Sequence, residues 1–429
     1  MTTETVIAVL PIGEINSDPT RHAYESIIEV FRHLDPILVI ADPASDETEA
    51  GHSVETLISK TPDLLLIIPL RGLSAPMIEK AGMMSQVPCL IWPIQGSFAL
   101  PSSTLAFGAL RASGIPAELF YALPDYPGTI EKLQNITRAA TAYSRLRRSR
   151  IGVIGKLFPN LVSCRYDPQI VSARLGTAVI PIDFQEIRDR IQRARHNSSE
   201  VEQWRQEIAS SYETSPDETR FLDAGIQLHL VLKQIAQEQN IDGFAAECWT
   251  GLPKELGMNP CLGFIEDAYS LACEGDVMLC ISLLIVRYLT GNSAYNGDLF
   301  DLDLDGFLDL VHCGAPASLA LNKKDVVLSQ SQLAKERGFV TVTCRPKLEK
   351  GAVTLFRFYG LDCAKLHLAS GELVASEQSP SLKVKISITG DRWDFLEQCF
   401  GNHYVVVAGD IRKELKILCK WLGITILET

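Results

Sequence analysis

Short apolar runs bounded by polar or turn-forming residues recur along the first 150 residues: Val6–Leu10, Ile37–Ile40, Leu64–Leu70 and Cys89–Trp92. These read as strands. Between them the apolar spacing changes to a helical period over Arg21–His33, which Asp18-Pro19 would open, and over Val54–Ser59. Strands and helices in alternation predict a parallel sheet covered on both faces.

A long helical pattern, Thr129–Leu146, closes this series in the basic cluster Arg145, Arg147, Arg148 and Arg150, and a new strand, Ile151–Ile154, follows at once. A domain boundary is expected near residue 148. A second series has strands near Thr177–Ile182, Gly243–Ala246 and Ser270–Cys273, with helices near Glu200–Ser210, Phe221–Glu238 and Val277–Leu289. The last helix is interrupted by Arg287 and falls short of the ~20 residues of a bilayer span. It is expected to be a buried helix.

After about residue 320 the texture changes to short strand-like runs, Phe339–Arg345, Ala352–Tyr359, Lys365–Leu368, Glu372–Ala375 and Leu382–Ile388, separated by Gly, Ser and Pro. This predicts an antiparallel sheet or small barrel. The tail reverts to strand (Tyr404–Val407), helix (Ile411–Leu422, stopped by Gly423) and strand (Ile424–Leu427). The expected fold class is therefore α/β: two doubly wound parallel-sheet domains, residues 1–148 and 149–320, followed by a smaller antiparallel, barrel-like β domain, residues 321–429.

Composition narrows the function. With 46% hydrophobic and 21% charged residues in 429, the chain has the make-up of a soluble globular protein with ample core. The formal charge of −12 and the lack of a basic stripe argue against nucleic acid as a partner. Eleven cysteines, an odd number without a Cys-x-x-Cys pair, fit reduced thiols, and the N-terminus lacks the positive flank of a signal peptide. A cytoplasmic location without membrane association is expected. Gly152-Val-Ile-Gly155 lacks the third glycine and spacing of a dinucleotide fingerprint, and no Walker loop occurs, so no nucleotide cofactor is indicated.

Three polar residues stand at the edges of apolar runs: Glu274 in Ala-Cys-Glu-Gly-Asp, Asp298 in Tyr-Asn-Gly-Asp-Leu, and His403 in Gly-Asn-His-Tyr. Together they offer two carboxylates and an imidazole to a divalent metal. Glu274 falls just past a strand and before a helix that Asp276 could cap, at the carboxyl edge of a parallel sheet, where open α/β sheets place ligands. Taken singly, each reads more plainly as a solvated loop acid or a backbone-bonded histidine. His312, in Leu-Val-His-Cys-Gly, is a fourth candidate ligand. Trp249 is read either as the aromatic wall of a ligand pocket or as a core tryptophan.

Other motifs carry less. Asp301-Leu-Asp303-Leu-Asp305-Gly306 opens like a calcium loop, but its twelfth position is His312 rather than Glu, so a strand or loop with one wet face is the better description. Cys248 and Cys313 neighbour candidate site residues, yet nothing in the sequence argues for a reactive thiolate.

The Ala-Cys-Glu-Gly-Asp segment, its following apolar helix, Val-His-Cys-Gly and the late Gly-Asn-His-Tyr-Val-Val-Val-x-Gly-Asp together resemble the L-fucose and L-arabinose isomerase superfamily. The segment Ala245–Pro260, with Glu-Cys-Trp-Thr, is similar to a stretch of fucose-isomerase-like members. The resemblance implies that Glu274 and Asp298 are acidic metal ligands that also do acid–base work, that His403 is a histidine ligand, and that His312 corresponds to a further ligand of the arabinose branch. It also implies a homo-oligomer, trimer or hexamer, with sites completed by a neighbour's N-terminal domain. The first 240 residues match only in architecture.

The residue types suit that chemistry. Aldose–ketose exchange passes through an ene-diolate, which a hard divalent ion on both sugar oxygens would stabilise while two carboxylates move the protons. Mixed oxygen and imidazole ligation suits Mn(II), with Mg(II) and Zn(II) as alternatives. The expectation is a metal-dependent isomerase of an open-chain, fucose- or arabinose-like sugar. Its rivals are a non-catalytic sugar-binding relative and a lyase or hydrolase using the same site.

Overall fold

A computed structural model describes residues 4–194, 198–214, 216–330, 332–339 and 341–429. The chain divides into two compact units, one of residues 2–145 with 413–423 and one of residues 146–412 with 424–429.

In the N-terminal unit, strands β1 (Val6–Ile12), β2 (Ile37–Ile40), β3 (Leu64–Pro69), β4 (Cys89–Ile91) and β5 (Ala117–Leu119) form a parallel sheet in the order β2-β1-β3-β4-β5. Side chains alternate between faces along a strand. Ile7 and Val9 join Leu64, Leu66 and Ile68 on one side, while Ala8, Leu10 and Ile12 join Leu65 and Ile67 on the other. Both faces are apolar because both are covered, which is why these strands read as unbroken hydrophobic runs. The helix Asp18–His33 opens at Ser17, whose side chain accepts from the Thr20 amide, and contributes Ile27, Ile28 and Phe31 to the first face. The tail helix Arg412–Leu422 adds Ile417 and Trp421 to the same face, so chain far apart in sequence completes this core.

The second unit begins with β6 (Arg150–Ile154), β7 (Ala178–Ile182), β8 (Glu213–Thr214), β9 (Gly243–Ala246) and β10 (Ser270–Ala272). Four of these make a parallel sheet in the order β10-β9-β6-β7. Next come β11 (Tyr295–Leu302), β12 (Phe307–His312), β13 (Val326–Gln330), β14 (Val342–Pro346), β15 (Gly351–Tyr359), β16 (Lys365–Glu377), β17 (Leu382–Ile388), β18 (His403–Ala408) and β19 (Thr425–Glu428). The run β15-β18-β11-β12-β17-β16 closes by pairing β15 with β16, an antiparallel barrel of six strands to which β19 adds in parallel. Strand β13 lies between β14 and β8 in a small separate sheet. The α/β class with parallel sheets and a C-terminal barrel matches the expectation.

Lys365–Leu368 and Glu372–Ala375, expected as two strands, are one. The intervening Gly371 passes so close to the Ser387 carbonyl that a Cβ would collide with it, and the pairing with β17 shifts register between Leu373 and Ala375. That glycine marks a barrel bend rather than a turn. Inside the barrel Leu308, Leu310, Val353, Leu355, Leu382, Val384, Ile386, Tyr404 and Val406 alternate inward.

The helix Val277–Thr290 packs against β6, β9 and β10 of the parallel sheet and against β15 and β18 of the barrel. It is apolar on all sides for that reason, and eleven of its residues are buried. Among the described residues no helix is long and apolar enough to cross a membrane. Its N-terminus delivers the Glu274 segment to the end of the barrel where β18 starts.

Candidate active site

Beyond β10 the chain turns through Cys273–Asp276 into the helix. Glu274 has a φ of 61° and Gly275 a φ of 73°, left-handed geometry that costs a glutamate of order 1–3 kcal/mol. Three hydrogen bonds hold it there: the Glu274 amide donates to Sγ of Cys248 (3.3 Å), its carbonyl accepts from the Phe158 amide (2.8 Å), and the Gly275 amide donates to the Ala246 carbonyl (3.0 Å). A side chain at Gly275 would run into the Lys156 carbonyl. Asp276 then caps the helix by accepting from the Leu279 amide at 3.0 Å.

Asp298 and His403 arrive on neighbouring antiparallel strands, directly paired in the register of β11 and β18. Nδ1 of His403 donates to Oδ2 of Asp276 at 2.9 Å, which turns Nε2 toward two other carboxylates. Oδ1 of Asp298 lies 3.2 Å from Nε2 and Oε2 of Glu274 lies 3.6 Å from it. The three residues singled out in the sequence therefore meet around one ring nitrogen. Nδ2 of Asn402 donates to Oδ1 of Asp298 at 2.5 Å and fixes that carboxylate further. The His403 side chain is 2% exposed and that of Asp298 36%, so the group opens to solvent on its carboxylate side.

Burial raises the Asp298 pKa, but the hydrogen bond and charge of His403 outweigh it and hold the carboxyl below its ordinary value. For His403 burial works against charging, yet the bonds to Asp276 and Asp298 lift its pKa well above the usual imidazole value. His312, at the end of β12, is also buried. Its Nδ1 donates to the Gly314 carbonyl, and its Nε2 lies 3.4 Å from Nδ2 of Asn296. Burial lowers its pKa despite the charge of Asp298, so the ring is neutral and can act as a donor ligand. The charges of Asp298, His403 and Glu274 all act on this ring, which places it in their neighbourhood.

Behind His403 lie Arg357, Cys164 and Asp276. Arg357 on β15 donates through Nη1 to the His403 carbonyl (2.8 Å) and through Nη2 to Sγ of Cys164 (2.9 Å), and it lies 3.3 Å from Oδ2 of Asp276. Asp276 is wholly buried and Arg357 nearly so. Burial would raise the Asp276 pKa, but Arg357 and His403 drive it far below the carboxylate range. Cys164, Asp276 and His403 bring their ligand atoms within 4.8 Å of one another, and this buried group could hold a metal ion. On that side, however, the guanidinium already supplies positive charge. Glu274 and Asp298 lie instead on the Nε2 side of the ring.

Trp249 is half-buried, stacked on Phe158 at 5.9 Å and 19°, with Arg337 over its ring. Two further thiols flank the site. Cys248 accepts the Glu274 amide, and burial pushes the Cys313 thiol up to about 12. Asp303 closes the β11–β12 hairpin by accepting from the amides of Asp305 (3.0 Å) and Phe307 (2.9 Å), which is turn chemistry.

The chain is similar to sulfoquinovose isomerases. The protein of that name from Alkalicoccus urumqiensis is 24% identical over 396 residues, covering 86% of this chain and 87% of its own. That from Priestia aryabhattai is 24% identical over 79% of each chain, and that from Clostridium sp. (strain MSTE9) 22% over 98% of each. No protein-family model matches. Sulfoquinovose isomerases belong to the fucose/arabinose isomerase-like superfamily, so at that level the homologues agree with the resemblance read from the motifs.

Sequence reasoning left out Arg357, Cys164, Asn402 and Asn296, and saw Asp276 only as a cap. Arg357 did leave a signal: it is the one charged residue in Val-Thr-Leu-Phe-Arg-Phe-Tyr, an otherwise buried strand. A cation there needs an internal acid. Cys164 left none.

Proposed function

We propose that the chain is a metal-dependent aldose–ketose isomerase of an open-chain sugar. The four curated matches support an aldose–ketose isomerase, an intramolecular oxidoreductase. Their name moves the substrate expectation from a fucose- or arabinose-like sugar to sulfoquinovose, a sulfonated aldohexose. The single observation that carries the reading is that Glu274 and Asp298 both face Nε2 of an imidazole whose Nδ1 is pinned by Asp276.

Glu274, Asp298, His403 and His312 would hold the ion, Mn(II) in the first instance by donor type, with Mg(II) or Zn(II) as alternatives. A divalent cation there would polarise the two sugar oxygens and stabilise ene-diolate charge. Glu274, held on a strained and rigid peptide, and Asp298, held by Asn402, are placed to take the proton from the carbon beside the carbonyl and to serve the oxygens. One carboxylate returns to the adjacent carbon the proton removed from the first, while the hydroxyl proton passes between the oxygens, so mass is conserved. Asp276 keeps the His403 ring in one tautomer, and Arg357 compensates Asp276.

A homo-oligomer, trimer or hexamer, and a reducing cytoplasmic setting complete the proposal. All eleven cysteines are free, and Leu73 and Phe98 present nearly fully exposed apolar side chains.

The test is solvent deuterium incorporation followed by NMR, with Mn(II) and sulfoquinovose or neutral aldoses, before and after chelation. Exchange at the carbon beside the carbonyl and a ketose of unchanged composition are expected. Glu274→Gln is expected to lower the rate by about two to four orders of magnitude, the range of general acid–base catalysis. Binding without exchange, or a product of lower mass, would overturn it.

A further inference from the structure

We propose that Arg337, held against the indole of Trp249, reads a terminal oxyanion on the sugar at the end remote from the carbonyl. This inference rests on the isomerase reading and adds the substrate's charge to it.

The guanidinium carbon of Arg337 lies 4.2 Å from the centroid of the Trp249 ring, and Trp249 in turn stacks on Phe158. The backbone at Phe158 and the residue before Trp249 are both hydrogen-bonded to the peptide that carries Glu274. The Phe158 amide donates to the Glu274 carbonyl, and Cys248, next to Trp249, accepts the Glu274 amide. The cation thus stands one indole away from the rim on which Glu274 is mounted. Several arginines of this unit are committed to acids, Arg190 to Glu186 and Glu238, Arg205 to Glu202 and Asp223, and Arg357 to Asp276, while others such as Arg287 and Arg392 bond to backbone carbonyls. Among the described residues Arg337 is exposed and has no acidic partner.

A guanidinium stacked on an aromatic face keeps its N–H groups in the ring-parallel plane, open for a bidentate oxyanion. In a chain of net charge −12, an anionic substrate is repelled by the general field and needs such a local cation. Sulfonate, phosphate and carboxylate share that chemistry, and the experiment separates them.

The Mn(II)-loaded full chain is titrated calorimetrically, and kcat/KM is measured, with sulfoquinovose, glucose 6-phosphate, glucuronate and glucose, for wild type, Arg337→Ala, Arg337→Lys and Trp249→Leu. Wild type is expected to prefer one anionic sugar over glucose. Arg337→Ala should shrink that preference about ten- to hundred-fold, the span of a charge-assisted hydrogen-bond pair. Arg337→Lys should restore part of it, and Trp249→Leu should weaken it. Because Arg337 is exposed, an unchanged melting temperature shows that the fold is intact. An anion preference indifferent to Arg337→Ala, or no anion preference in wild type, overturns the proposal. Binding that depends on Arg337 without any turnover would instead sink the isomerase reading and leave the oxyanion site standing.

Discussion

The two parallel sheets share one strand order and do different things with it. Counting each from its own first strand, the N-terminal sheet runs 2-1-3-4-5 and the second runs 2-1-3-4. Such sheets offer a crevice at the carboxyl ends of the strands where the order reverses. In the second sheet that edge is tied up by hydrogen bonds and carries Glu274 in left-handed geometry. In the first, the same edge carries Leu73 (φ 58°, 95% exposed) and Phe98 (φ 57°, 85% exposed). One topology therefore hosts strain for a carboxylate in one place and strain for solvent-facing apolar side chains in another. Fold alone does not decide which, and the side chains at the crevice do.

The sharpest way to break the contrast is at the second sheet. Asp276→Asn should leave Arg357 buried without its charge partner and free the His403 ring. A loss of about 3–5 kcal/mol in unfolding free energy is expected by denaturant titration, with metal affinity weakened 10- to 100-fold. Wild-type stability in that variant would show that the pair does not organise the site.

Next in size is a pH effect confined to the barrel. His367 is buried, bonded to the Tyr404 hydroxyl (2.7 Å) and the Thr429 hydroxyl (3.0 Å), and burial lowers its pKa to about 4. Its folded pKa lies below the ordinary 6.5, so as pH falls the unfolded chain takes up the proton first. Stability is complete above pH 6.5 and declines by on the order of 3 kcal/mol as pH drops to about 4. Melts of wild type against His367→Gln between pH 7 and pH 4 should converge. Parallel curves would assign the loss elsewhere.

The smallest effect belongs to the first sheet. Leu73→Gly removes an exposed side chain and a strained φ, so a gain of about 1 kcal/mol is expected if Leu73 touches nothing. If instead it lies in the interface of an oligomer, light scattering should show that the variant dissociates more readily. Neither change would leave its conformation without a physical role.

Much of this was readable from the chain. Leu64–Leu70 announced a strand covered on both faces, and Val277–Leu289 a helix with no wet side, because burial on every side leaves no polar alternation to confuse the reading. Glu274 and His403 were marked by their position at the ends of apolar runs. Asp298 was harder. Tyr-Asn-Gly-Asp looks like a turn, yet these residues sit in a barrel strand, because β18, which pairs with all four of them, comes from far along the chain. The merging of Lys365–Glu377 was hidden for a similar reason, since only the close approach of Ser387 explains Gly371. Cys164 was invisible as a site component because its partner Arg357 lies 193 residues away, and Arg357 showed only as a lone charge in a buried strand because its acid, Asp276, lies 81 residues away.

The helix Val277–Thr290 works as a ruler laid between two rigid layers. Deleting one residue from it would rotate everything beyond by roughly 100° and take side chains packed against one layer out of register with it. A change of length inside that helix would therefore move Glu274 relative to Asp298, a constraint that the exposed loops do not carry.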